Sequence, residues 1–213
     1  MKRSTVKRSV LSLLAALAPC AVAASSVDLQ VQGLIIPAAC TPSLSQGGTV
    51  DYGRLAARDL LPDTSTWLPP AIMQLAVTCD APTLFALRGR DNRPGTAHKD
   101  DGYGYGLGLI NGDQKLGTYL LTLRNPVSDD GPVQTLMSTT NGDTWWLVPE
   151  GTWLVAHQLA AFGNSDSGTP APSPLQTVTA ELHIEPSIAP ANSLTLTEEV
   201  LLDGAATVDV IYL

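Results

Sequence analysis

Cys40 and Cys79 carry the most readily assigned chemistry in this 213-residue chain, because the third cysteine, Cys20, lies in a leader. Lys2, Arg3, Lys7 and Arg8 form a basic start, Val10 to Ala18 an apolar stretch, and Ala21-Val22-Ala23 a small-x-small cleavage pattern. Cys20 follows Pro19, which does not fit the small residue that lipoprotein processing prefers. The remaining pair is expected to oxidise to a disulfide, since exported proteins occupy a compartment where such bonds persist. Closing a loop of about 39 residues removes roughly 4 kcal/mol of unfolded-chain entropy. Zinc is not expected, because neither cysteine belongs to a C-x-x-C and no H-x-x-x-H is present.

Other residue types that could do chemistry lack the setting it needs. His98, Asp130 and Ser167 occur in a possible triad order. Ser167, however, sits in the Pro/Ser/Gly-rich run Gly163–Pro174, whereas a nucleophile needs a rigid turn beside an oxyanion hole. His157 and His183 each stand alone in strand-like segments. Asp91, Asn92, Asp100, Asp101 and Asp113 offer oxygen ligands without the spacing of a calcium loop. The expectation is a non-enzyme with no catalytic residue, metal or cofactor. Trp145-Trp146 and Trp153 form the one dense aromatic patch, and in a strand one of Trp145 and Trp146 must face outward, where a ring can contact glycan or another protein.

Charge narrows the partners further. Four of the 12 basic residues leave with the leader, so 8 remain against 20 acidic ones, a net charge of −12. Arg88, Arg90, Arg93 and Lys99 cluster locally but are interrupted by Asp91, and Asp100 and Asp101 follow directly. Nucleic acid is therefore a poor partner, since binding phosphates needs a basic patch. No apolar run reaches the 18 or more residues of a spanning helix, so no membrane span is expected.

The elements that position these residues read as short strands punctuated by turns. Candidates are 27–37, 72–79, 83–87, 105–110, 118–124, 133–138, 144–148, 153–156, 176–184 and 206–213, each bounded by Gly, Pro, Asn or Asp. Asn111-Gly112-Asp113 and Asn141-Gly142-Asp143 are turn signals, the second at hairpin spacing. Leu55–Leu61 has room for one or two helical turns before Pro62. Gly163–Pro174 is expected to be an exposed excursion or a boundary. The expected fold is all-β, a sandwich of about 189 residues after the leader.

Both ends of the exported chain are strand-like. Val27, Leu29, Val31, Gly33 and Ile35 share one face of an extended segment, with Asp28, Gln30 and Gln32 on the other. Alternation alone equally describes the first strand of an ordinary sandwich. At the other end Ala206, Val208, Val210 and Tyr212 share a face, and Leu213 ends the chain.

The segment from Leu29 to Cys40, LQVQGLIIPAAC, resembles the N-terminal extension of chaperone–usher pilus (fimbrial) subunits. The second cysteine at Cys79 and a terminal strand with penultimate Tyr212 are similar as well. Thr41–Gly53, Val77–Thr83 and Asp91–Thr96 resemble a fimbrial-like branch classed by a domain of unknown function. Val200 stands where that family commonly has a glycine.

The resemblance implies an immunoglobulin-like, pilin-like sandwich lacking its last strand. Residues 1–24 would be the signal, 25–36 a donor-strand extension, and 37–213 the sandwich. Val27, Leu29, Val31, Gly33 and Ile35 would be the donor face. Val208, Val210, Tyr212 and Leu213 would be the edge presented to a periplasmic chaperone. Its implied partners are that chaperone, an outer-membrane usher and neighbouring subunits, with a cell-surface fibre supporting adhesion as the destination. The alternative is a monomeric exported β-sandwich that binds a carbohydrate or surface ligand.

Overall fold

A computed structural model describes residues 27, 29–33, 39–99, 101–165 and 168–213. The strands begin with β1 (Cys40–Leu44), β2 (Thr66–Trp67), β3 (Ala71–Thr83), β4 (Phe85–Asp91), β5 (Tyr105–Gly106) and β6 (Leu109–Ile110). Next come β7 (Gln114–Lys115), β8 (Gly117–Ser128), β9 (Gly131–Pro132), β10 (Gln134–Ser138) and β11 (Trp146–Leu147). The series closes with β12 (Thr152–Trp153), β13 (Leu159–Asn164), β14 (Ala171–Pro172), β15 (Leu175–Ile188) and β16 (Ala206–Tyr212). Only three short 3-10 turns interrupt them among the described residues, one of them Ala57–Asp59 inside the Leu55–Leu61 stretch. The protein is all-β, as its alternation and turn spacing led one to expect.

Two antiparallel sheets face each other across one core. The first runs β1-β3-β15-β8-β12, with β2 beside β15 and β5 and β9 beside β8. The second runs β11-β10-β13-β4-β16, with β14 beside β13. Alternation decides which side chains meet inside: Met73, Leu75 and Val77 of β3, Leu121 and Leu123 of β8, and Leu182 and Ile184 of β15 are buried. They pack with Phe85, Leu87 and Phe162 of the second sheet, where the two phenylalanine rings meet edge to face at 6.5 Å. The intervening residues of those first-sheet strands point to the outer face.

Strand β13, Leu-Ala-Ala-Phe-Gly-Asn, lies outside the strands expected from the sequence. Ala160 and Phe162 join the main core, while Leu159 and Ala161 pack under Trp145, Leu147 and Ile211 on the outer side of the second sheet. A strand apolar on both faces shows no alternation, and this one has no β-branched residue to mark it. Strand β1 also lies outside the expected strands. Its Pro42 reads as a turn residue, yet β1 is an edge strand, where proline's missing N–H is tolerated.

The turn signals hold. Asn141 and Gly142 have φ of 56° and 103° between β10 and β11, which pair Leu136 with Leu147 and Met137 with Trp146. Cys40 and Cys79 are register partners in β1 and β3, and their sulfurs are bonded. Residues 37–213 form one compact unit, and the run 163–174 passes from β13 through β14 to β15 within it.

Candidate functional site: an apolar groove between two strand edges

Strands β1 and β16 stand at the ends of their respective sheets, and they end up beside each other. β16 pairs along its length with β4, from Ala206 opposite Asp91 to Tyr212 opposite Phe85. β1 pairs only with β3. Each therefore has a second edge whose backbone groups join no ladder among the described residues. The two strands touch at one end, where the Cys40 backbone N–H donates to the Tyr212 hydroxyl at 2.8 Å. From there they separate.

Between them opens a cavity of about 750 Å³. Pro42, Ser43 and Leu44 of β1 form one wall and Ala206, Thr207 and Val208 of β16 the other. The floor is the core itself: Met73, Leu75, Leu121, Leu182 and Ile184. At its far end lie Tyr52, Leu202 and Gly204. A second cavity of about 470 Å³, sharing Val50, Tyr52 and Leu202, lies beside that end.

The segment entering β16 is held in place by charge and backbone bonds. Arg93 Nε and an Nη donate to the two oxygens of Asp203 at 2.8 and 2.6 Å. The Asp203 N–H donates to the Leu107 carbonyl, and the Asn92 N–H to that of Ala205. The hydrogen bond from Arg93 holds the Asp203 carboxyl below its ordinary value. Deeper in the core, burial raises the hydroxyls of Tyr105 and Tyr119, which stack at 5.1 Å. Tyr105 donates to the Leu154 carbonyl, so its polar tip is satisfied inside the sandwich.

Val208 and Val210 are half-buried and pack against the main core, with Tyr212 and Leu213 about half exposed at the strand's end. The N-terminal unit, described by itself, has Val27, Leu29 and Val31 at 94%, 88% and 89% exposure. Residues 29–33 have no regular secondary structure, and a Cβ added to Gly33 would meet nothing within 4 Å. Ile35 lies outside the described residues.

The remaining candidate residues are not brought together. The His98 N–H donates to Gly117 at the start of β8, and the Asp130 N–H donates to Ser128 at its end, about 35 Å away at strand rise. Ser167 lies outside the described residues. Asp91 accepts from the backbone N–H groups of Arg93 and Gly106, and Asp101 from those of Tyr103 and Gly104, so these carboxylates organise loops. No three His, Cys, Asp or Glu side chains converge as metal ligands among the described residues, and no described helix is long and apolar enough to cross a membrane. His183 is bonded to Glu181, whose carboxyl that bond and Asn125 hold below its ordinary value.

The tryptophans divide between the sheets. Trp145 covers the outer side of the second sheet and Trp146 is exposed on β11, whereas Trp153 belongs to the first sheet. What sequence reasoning missed was Tyr103 and Trp67, which the fold places on the same face as Trp153.

Residues 29–120 match a family described as "protein of unknown function (DUF1120)", a span that contains the three segments likened above to a fimbrial-like branch. The chain is 28% identical to the uncharacterized protein YhcF of Escherichia coli (strain K12), covering 90% of this chain and 92% of that one. It is 26% identical to protein GltF of the same organism, covering 100% and 99%.

Proposed function

We propose that this chain is a non-enzymatic structural subunit of a fimbria-like surface fibre, assembled by strand donation between copies. The reading rests chiefly on the groove between β1 and β16, where apolar core and two unpaired strand edges stand open together. Such a surface invites an added strand: backbone bonds supply affinity and alternate side chains fill the floor. Val27, Leu29, Val31, Gly33 and Ile35 have the alternation such an occupant needs, and the described side chains among them are exposed. A second copy's N-terminal segment is the occupant in the fibre. Before assembly, a periplasmic chaperone covers the groove and holds the Leu213 carboxylate, and an outer-membrane usher exports the subunit to the cell surface.

The test compares the exported chain with a variant lacking residues 25–36, by sedimentation velocity and by resistance of ladders to denaturant. The exported chain is expected to form concentration-dependent oligomers. The deletion variant is expected to stop at monomer and to regain thermal stability when a peptide of residues 25–36 is added. A stable exported monomer indifferent to the peptide would overturn the proposal.

A further inference from the structure

We propose that the outer face of the first sheet carries a binding site for a linear glycan, built from Trp67, Lys99, Tyr103, Trp153 and His157. The strand pattern puts the two tryptophans there. Leu68 is buried, so its neighbour Trp67 points the other way; Thr152 and Leu154 are buried, so Trp153 does too. Trp67 is opposite Ser187, Ser187 opposite Thr118, and Trp153 opposite Thr122. The residue positions of Trp67 and Trp153 thus lie three strands apart and four residues along, about 20 Å on the diagonal.

The loop before β5 fills that interval. The Lys99 N–H donates to Thr118 Oγ1, and Gly104 sits so close to Thr118 that a Cβ would come within 2.2 Å of its Cγ2. The Asp101 carboxylate accepts from the N–H groups of Tyr103 and Gly104, which fixes the turn carrying the ring. Tyr103 then lies 4.8 Å from Trp153 at 57°, and 5.2 Å from His157 at 78°. The Lys99 ammonium stands 5.8 Å from the Trp67 ring. Despite these contacts Trp67, Trp153 and Tyr103 remain 57%, 44% and 37% exposed.

The chemistry selects the ligand class. Ring faces take the C–H face of a pyranose, while ammonium, imidazole and phenol groups at their edges bond its hydroxyls. A protein interface would need a continuous apolar patch, but on this face His183 and Glu185 stand among Leu120, the exposed Ile72 and the rings, which breaks the apolar surface with groups able to bond sugar hydroxyls. A nucleic acid strand could stack on the same rings, but the −12 charge of the exported chain opposes its phosphates. The 20 Å length suits a linear oligosaccharide rather than one sugar. The groove lies on the opposite face of the same strands, lined by Leu121, Leu182 and Ile184, so the two sites are independent.

The exported full chain should be titrated with cellotetraose, maltotetraose and N-acetylchitotetraose by tryptophan fluorescence, and screened on an array of linear glycans. At least one linear glycan is expected to bind about tenfold or more tightly than its monosaccharide. Trp153→Ala and Trp67→Ala are each expected to weaken it about tenfold or more, Trp153→Phe by less than about threefold, and Trp146→Ala not at all. Thermal melts verify that each variant is folded. Absence of any bound glycan would overturn the proposal, as would equal loss with Trp146→Ala. So would a folded Trp153→Ala that alters self-association and leaves sugar binding intact, the signature of a protein interface.

Discussion

Truncating Leu29 to alanine tests the face of the N-terminal segment that the proposed strand donation would use. Leu29 is 88% exposed, so nearly all its apolar surface is available for burial in a partner's groove. The change removes three carbon groups, and at about 0.8 kcal/mol each the loss is about 2.4 kcal/mol, or roughly 60-fold in affinity. Gln30 occupies the opposite face and would look away from the groove floor, so Gln30→Ala is expected to change affinity less than about twofold. The assay is calorimetric titration of the 25–36 deletion variant with synthetic 25–36 peptides carrying either change. The folded partner is identical in every titration, so differences report the peptide alone. If Leu29→Ala binds as well as the parent peptide, or if Gln30→Ala is equally damaging, the floor of the groove does not read the alternating face.

Other expectations follow from the sandwich itself. Replacing Cys40 and Cys79 together by serine should lower stability by roughly 4 kcal/mol, the chain-entropy value for a loop of 39 residues, measured by urea unfolding against the oxidised parent with its disulfide intact. Gly89→Ala should destabilise by about 1–3 kcal/mol in the same assay, because its Cβ would come within 1.8 Å of the Tyr105 hydroxyl and 2.8 Å of the Leu154 backbone. Acid should weaken the fold through Asp203: its carboxyl is depressed in the folded state by Arg93, so the contribution is complete above the ordinary value near 3.8 and disappears as pH falls through the lower, folded one. Asp203→Asn should flatten that part of the pH–stability curve below about pH 4, and the share of Glu181, depressed by His183, should persist.

How far the sequence could be read depended on local contrast. Alternation marked β3, β15 and β16 because each has one face in the core and one face outside or half-covered, and it marked β8 because two of its buried outward positions carry the polar Thr118 and Thr122. It failed at β13, whose Leu159, Ala160, Ala161 and Phe162 are buried on both sides. Asn141-Gly142 announced the turn between β10 and β11 because both residues take positive φ, which Asn and Gly adopt most readily, a constraint local to those residues. The Trp145–Trp153 patch dissolved because neighbours in sequence went to different sheets.

Sequence by itself determined the strand class, the reversing turns, the disulfide partners, and the alternation at both ends, since each depends on residue type and short spacing. Tertiary structure decided that β1 and β16 should meet at Tyr212 and diverge above an apolar floor. It also decided that Trp67, Tyr103 and Trp153 should share a face. Both arrangements join residues many tens of positions apart, and only the order of strands within the sheets brings such positions together.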